Sequence, residues 1–365
     1  NYVGFLWRDD YSQTKLGLLF QSFDPWGIVR STSISIEGDI EENSDGLNLG
    51  KSVELIYETK FTNFWEFGGG YKKYLESYDD RKIFSHLSPE CCPPIFLPEV
   101  NQYSITVFTD PQQIISAFIL LRWQKSAIDE TYRDQYIELV YKPNTYFQFS
   151  TSYESNQLWM QYHFLEAIYE GEYFGIENDY HYTFANRDGE MDVLTFRASA
   201  NINRKLSILG YLEIFSNRDH YSKYVEYNQS TNGYEETEFI RGAYPFIVQP
   251  LHEDGSPDDY VGFSMPVYTT SKDSVDLAHS YADPNFELGF RPNLTSIKFN
   301  GVLKWNYMKG SNLYIVYSLN KTVNGYEFNS MSQLSNFITF NTREPWVEIF
   351  RDQTFMIKID YWFEM

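Results

Sequence analysis

Alternation of apolar and polar side chains, held over long runs and repeated from end to end, constrains this chain more than any other feature. Successive side chains of a strand point to opposite sides, so such a run builds a sheet with one apolar and one polar face. In the last run Phe355, Ile357, Ile359, Tyr361 and Phe363 share one face, opposed by Met356, Lys358, Asp360 and Trp362. In 115–123, Ile115, Ala117, Ile119, Leu121 and Trp123 oppose Ser116, Phe118, Leu120 and Arg122. The runs 52–61, 146–154 and 296–308 divide in the same way.

Each run is about the 9–11 residues that a tilted strand needs to cross a bilayer. Strands of soluble proteins are shorter, typically about five or six residues. A charge facing lipid near the midplane costs ~2–4 kcal/mol, so charges should gather on one face. In these five runs Glu54, Glu58, Arg122, Lys298, Lys304, Lys358 and Asp360 all do. The expected fold is therefore all-β, a transmembrane antiparallel barrel occupying 1–365, because hydrocarbon leaves backbone polar groups no partner except neighbouring strands.

Composition fits that reading. No apolar stretch approaches the roughly 20 residues of a membrane helix. Yet 19% of the chain is Phe, Trp or Tyr, as aromatic girdles would require. A net charge of −21 excludes nucleic acid as a partner, since that would need a basic stripe. Cys91 and Cys92 are adjacent and match neither a disulfide framework nor a zinc spacing. A vicinal disulfide and two free thiols both remain open.

The alternation predicts about sixteen strands, near 2–8, 14–22, 28–39, 48–61, 63–72, 100–109, 114–125, 133–142, 145–154, 157–166, 178–187, 190–200, 206–216, 296–308, 311–320 and 353–363. Glu166 to Glu172 interrupts the pattern. Counting back from a periplasmic C-terminus puts the short links on the periplasmic side and the long links 73–99, 217–295 and 321–352 on the outer side. An aromatic girdle is then expected from Phe20, Phe61, Tyr141, Phe147, Tyr307 and Phe363 near the short turns, with Trp123 and Tyr153 toward the outer end. The expected lumen-facing charges are Glu54, Glu58, Arg122, Glu138, Arg197, Glu213, Lys298, Lys304 and Lys358.

The chain resembles a family on stretches spread over nearly its whole length. They include Val3-Gly4-Phe5-Leu6, Phe64-Trp65-Glu66-Phe67-Gly68-Gly69-Gly70, Tyr182-Thr183-Phe184-Ala185 and Asp283-Pro284-Asn285-Phe286. Leu303 to Tyr307, Gly310 to Tyr317 and Phe355 to Phe363 follow in the same order. The family is the C-terminal outer-membrane barrel of the domain of unknown function 5916 class. The resemblance implies a Gram-negative outer-membrane protein whose barrel follows a family 9 carbohydrate-binding-module-like domain. It also implies earlier strands than Asn1, so the chain is expected to be part of a larger barrel. It transfers no catalytic residue.

Candidate chemistry is sparse. His86, His163, His181, His220, His252 and His279 have no ligand spacing, so no metal ligands are assigned. Asp39, Glu41, Glu42 and Asp45 form one expected outer-loop acidic group, and His252, Glu253, Asp254, Asp258 and Asp259 another. Grouped carboxylates suit Ca²⁺, but neither spacing matches a Ca²⁺ loop, and solvated acid is the favoured reading. Gly68-Gly69-Gly70 lies inside a strand, where glycines permit a bend or a close approach, and is no phosphate loop. No other cofactor is expected. Three functions stay in view: handling of a glycan or nutrient ligand at the cell surface, a scaffold subunit contacting other outer-membrane proteins, and a barrel hydrolase.

Overall fold

A computed structural model of the chain describes residues 10–83, 93–170, 179–228, 231, 233–236, 240–241, 268–269, 294–324 and 348–362. Every regular element among them is a strand: β1 (Tyr11–Ser22), β2 (Val29–Asn43), β3 (Asn48–Phe61), β4 (Glu66–Tyr74), β5 (Ser77–Asp79), β6 (Ile95–Leu97), β7 (Val100–Phe108), β8 (Ile115–Ser126), β9 (Thr131–Asn144), β10 (Phe147–Glu170), β11 (Asp179–Asn203), β12 (Leu206–Asn228), β13 (Gly233–Glu236), β14 (Ile240–Arg241), β15 (Tyr268–Thr269), β16 (Leu294–Met308), β17 (Ser311–Asn324) and β18 (Glu348–Asp360). A 14-stranded sheet takes the order β1-β2-β3-β4-β7-β8-β9-β10-β11-β12-β16-β17-β18, with β13 paired to the far end of β12. Every pairing in it is antiparallel, and β5-β6 and β14-β15 form two small separate ladders.

Register shows why the alternation is there. Directly opposed residues of an antiparallel pair lie on the same face. Leu18, Ile36, Leu55, Tyr71, Tyr103 and Trp123 are successive partners from β1 to β8. Phe67, Val107, Ile119, Ile137, Tyr153, Leu194, Ile214 and Ile297 continue on that side from β4 to β16. Leu206, Trp305, Leu313 and Ile359 carry the belt to the last strand.

The exposure pattern is inside out. In the belt Leu55 is 43% exposed, Leu139 46% and Ile357 57%. On the opposite face Ser116, Ser152 and Thr195 are buried, at 8%, 7% and 6%. A sheet whose polar side is the sheltered one is curved with that side inward.

A tertiary contact measures the curvature. Arg81 donates to Asp10, at the start of β1, while Ile83 packs with Tyr182 and Phe184 of β11 and Tyr227 of β12. Across a flat sheet β1 and β11 would stand eight strand spacings, ~38 Å, apart. Two residues of chain reach only ~7 Å, and side chains add no more than a similar length at each end. The wall must therefore curl strongly. Closure into a ring is not found: among the described residues β1 pairs only with β2, and β18 only with β17.

Several expectations are corrected. The runs 145–154 and 157–166 are one strand, β10, and 178–187 and 190–200 are one strand, β11. The ladder runs unbroken through 155–156 and 188–189, where strand ends are expected, and bulges at Met160/His163 and Phe164/Glu166 shift its phase only further along. The long links also shrink, because β12 continues to Asn228, β17 to Asn324, and β18 begins at Glu348. Asp39, Glu41 and Glu42 lie within β2 rather than in a loop. The expected strand at 2–8 lies outside the described residues.

The links 23–28, 62–65, 109–114, 145–146, 204–205 and 309–310, none longer than six residues, all fall at one end of the sheet. The long links fall at the other, with two four-residue ones, 44–47 and 127–130.

The triple glycine of β4 has a steric reason. A Cβ on Gly68 would stand 2.3 Å from Thr106 Oγ1, and one on Gly70 would stand 2.6 Å from Ser104 Oγ. On Gly69 it would meet only the Ser104 carbonyl oxygen at 3.8 Å. Gly68→Val with Gly70→Val should therefore destabilise the sheet by about 1–3 kcal/mol, the range for overpacking, while Gly69→Ala should be nearly neutral. Thermal unfolding of the two variants in the same solvent checks the contrast.

Candidate functional site

The polar inner face is one candidate surface, and the arm that crosses its long-link end is the other. Register places Glu54, Glu58, Arg122, Glu138, Arg197, Glu213, Lys298, Lys304 and Lys358 together on the polar face. Glu58 leads through Gly68, Thr106 and Leu120 to the side that Arg122 shares. Glu138 connects through Ser152 and Thr195 to Glu213 and Lys298. Lys304 connects through Tyr314 to Lys358.

Most of these charges are answered locally by residues that the sequence alone did not single out. Lys72 lies 3.5 Å from Glu54, beside the like-charged Glu37 that register sets opposite Glu54. Asp134 lies 3.4 Å from Arg122. Lys298 lies 2.9 Å from Glu213, which also accepts from the Tyr211 hydroxyl. Arg197 stands over the Tyr211 ring at 5.4 Å, and Lys304 and Lys358 each lie 5.7 Å from the Tyr314 ring centre. Lys358 also pairs with Asp360 at 3.1 Å. The signal for these partners is cross-strand position, which needs a register before it can be read. Neutral polar rows separate the charges: Gln124 donates to Gln102 at 2.6 Å, and Ser318 donates to Asn300 at 3.2 Å.

The expected girdle residues Phe20, Trp123, Tyr141, Phe147 and Tyr153 lie on the belt face, and Phe61 shares its parity at the end of β3. Tyr153 marks the upper border on β10, its hydroxyl donating to Asp192 at 2.7 Å. Above it the same face turns charged, with Arg218 pairing Glu190 and, at 3.7 Å, Asp192. Tyr307 sits beside the bulge at Asn306/Met308 and donates to the Asp360 carbonyl at 3.4 Å. Phe363 lies outside the described residues, as do Cys91, Cys92, His86, His252, His279 and the second acidic group.

The arm is the segment between β4 and β7. Lys73 and Glu99 pair at 2.8 Å across its base, and β5 and β6 form its short ladder. One flank is tied to the first strands: Arg81 reaches Asp10, Asn43 donates to Asp80 at 3.3 Å, and Asn48 donates to the Glu76 carbonyl at 2.9 Å. The other flank is apolar. Ile83 and Ile95 are 2% and 1% exposed in a cluster with Tyr182, Phe184 and Tyr227. Tyr162 and Tyr234 stack alongside at 3.7 Å. Burial pushes the Tyr234 hydroxyl above its ordinary range and pulls the Lys82 ammonium below its own, against the attraction of Glu130 and Asp79.

Beside the arm, in the part of β10 well beyond the belt, His163 lies near Arg187 and Asp219, which pair at 2.7 Å. Burial, reinforced by Arg187, pushes His163 down to about 4 from 6.5. No group of three or more His, Cys, Asp and Glu side chains able to hold a metal occurs among the described residues. Compared with known protein families, curated proteins and solved structures, the chain matches none.

Two outcomes follow from the arm. Ile95→Ala should cost about 2–5 kcal/mol locally and raise proteolytic cleavage within 75–99, while the remaining strands stay protected. For His163 the folded value lies below the unfolded one, so stability is full above about pH 6.5 and falls as pH drops toward 4. Melting at pH 7, 5 and 4 should show a smaller acid loss in His163→Gln than in the unmodified protein. Equal losses would assign the effect to other groups.

Proposed function

We propose that this chain forms the wall of an outer-membrane β-barrel in a Gram-negative cell, and that its polar face lines a lumen that binds or passes a glycan or similar polar nutrient. The observation that carries the reading is the inside-out exposure: apolar residues such as Leu55, Leu139 and Ile357 uncovered on the belt, small polar residues such as Ser116, Ser152 and Thr195 sheltered behind them. In water that arrangement forfeits the hydrophobic effect over thirteen neighbouring strands. Against hydrocarbon it costs nothing, and the belt from Leu206 to Ile214 has the length a tilted spanning strand requires. The gathering of short links at one end supports a periplasmic side there, with the arm and the long strands β10, β11 and β12 outside.

The lining supports a neutral, hydroxyl-rich solute over an ion. Its charges are of both signs, and Glu54, Arg122, Glu213, Lys298 and Lys358 are paired where they stand, so they form no single-sign ring. The Gln102–Gln124 and Asn300–Ser318 rows and the inward tyrosines offer the donors, acceptors and ring faces that sugars use. The family resemblance points to the same ligand class.

A second reading, a scaffold subunit, draws on the open edges. The thirteen strands of the meander leave β1 and β18 running in the same direction. An antiparallel seam between them takes an odd number of further strands, from this polypeptide or another, and such strands are a contact with a partner.

The test is reconstitution. The purified chain should need detergent, enter lipid vesicles, and lose folding yield when Leu139, at the centre of the belt, becomes Lys, a change costing ~2–4 kcal/mol in a bilayer. Vesicles containing it should swell faster in neutral oligosaccharides than in charged sugars of equal size. A protein that stays dispersed without detergent would refute the membrane reading. Vesicles that swell in neither would favour the scaffold.

A further inference from the structure

On the belt face lies one open groove of about 590 Å³. Its floor is Ala198 and Gly210, and its walls include Tyr141, Phe149, Phe196 and Phe299. Register sets Ala198, Gly210 and Gly301 side by side on β11, β12 and β16. The stacked pair Tyr141–Phe149, 6.4 Å between ring centres, bounds one side, and the tilted pair Phe299–Tyr317, at 6.0 Å, bounds the other.

Gly210 differs from Gly68 and Gly70. A Cβ built on it would meet no atom within 4 Å. No neighbour inside the sheet demands glycine there. A strand glycine of this kind costs stability and marks a place where something else approaches closely.

The charge pattern beside the groove says what approaches. The short turns 204–205 and 309–310 beside it carry Arg204, Lys205 and Lys309, and Lys142 lies at the end of β9, donating to the Pro111 carbonyl at 3.4 Å. Between Tyr141 and Phe147, Asn201 and Leu206, and Met308 and Asn312 there is no Asp or Glu, in a chain whose net charge is −21. The other three short turns carry Asp24, Asp110 and the Lys60–Glu66 pair. Cations therefore outnumber acids on the turns that border the groove, where Asp110 of the turn before Ile115 is the one acid. From Gly210 to Lys205 the strand rises ~17 Å, against ~15 Å for one leaflet of hydrocarbon.

We propose that this groove is a binding site for an anionic glycerophospholipid, with one acyl chain over Gly210 and the phosphate at Lys142, Arg204 and Lys205. The inference rests on the membrane reading and adds a specific lipid to it. The groove takes the chain by apolar contact between two aromatic walls. The turns select the headgroup by charge, because phosphate is the group that clustered cations at a lipid–water boundary would hold.

The experiment uses the whole chain in neutral detergent. Flotation with vesicles first establishes insertion; a chain that fails to float overturns the membrane reading, and this inference with it. Native mass spectrometry then follows titration with phosphatidylglycerol or phosphatidylcholine of identical acyl chains. The expected result is at least a tenfold preference for phosphatidylglycerol, with one molecule retained per chain. Gly210→Phe should fill the groove and abolish retention of either lipid, with the strand signal in circular dichroism unchanged. Arg204→Gln with Lys205→Gln should keep weak retention and lose the preference, which tests the charge half even where the groove variant folds poorly. Equal retention of the two lipids by the unmodified chain, or lipid-free dimers that Gly210→Phe dissolves, would overturn the proposal. The first result removes headgroup selection, and the second identifies the occupant as another copy of the chain.

Discussion

Everything here depends on the ladder of backbone hydrogen bonds between neighbouring strands. The ladder fixes which residues stand opposite one another, and opposition fixes which face each side chain occupies. A slip of one residue at any pairing would exchange the two faces from that point on. The rows from Leu18 to Trp123 and from Phe67 to Ile297 show no such exchange. Apolar alternation and register agree through all thirteen strands, and that agreement gives the sheet two chemically different sides.

The same ladder outlasts the belt. Three central strands, 24, 25 and 23 residues long, continue together well past its upper border. There the outward face changes from Tyr153 and Leu194 to Asp192, Glu190 and Arg218, and pairing is held by charge and by the aromatic cluster under the arm. One sheet thus carries two kinds of outward surface along its height, and the tyrosine hydroxyl at Asp192 marks the change between them.

This division also explains what could be read from the sequence. The belt strands were legible because an apolar face on one side and a polar face on the other write a strict period of two. The same period puts the nine expected charges on one face of the sheet. The extensions of β10, β11 and β12 were not, because side chains that meet water or a neighbouring arm on both faces need not alternate, and two bulges shift the phase. Nor were the partners Lys72 and Asp134, since each is a neighbour only across a strand boundary. The groove needed both kinds of information. Ala198 and Gly210 are unremarkable apart, and register alone makes them one floor.

The odd number of meandering strands has a consequence for assembly. Two copies inserted in the same membrane orientation and related by rotation about the barrel axis would bring the last strand of one beside the first strand of the next, pointing the same way. Both junctions of such a ring would be parallel, in a wall that is antiparallel everywhere else. Self-association of this kind would therefore break the antiparallel pairing that every described junction of the sheet keeps.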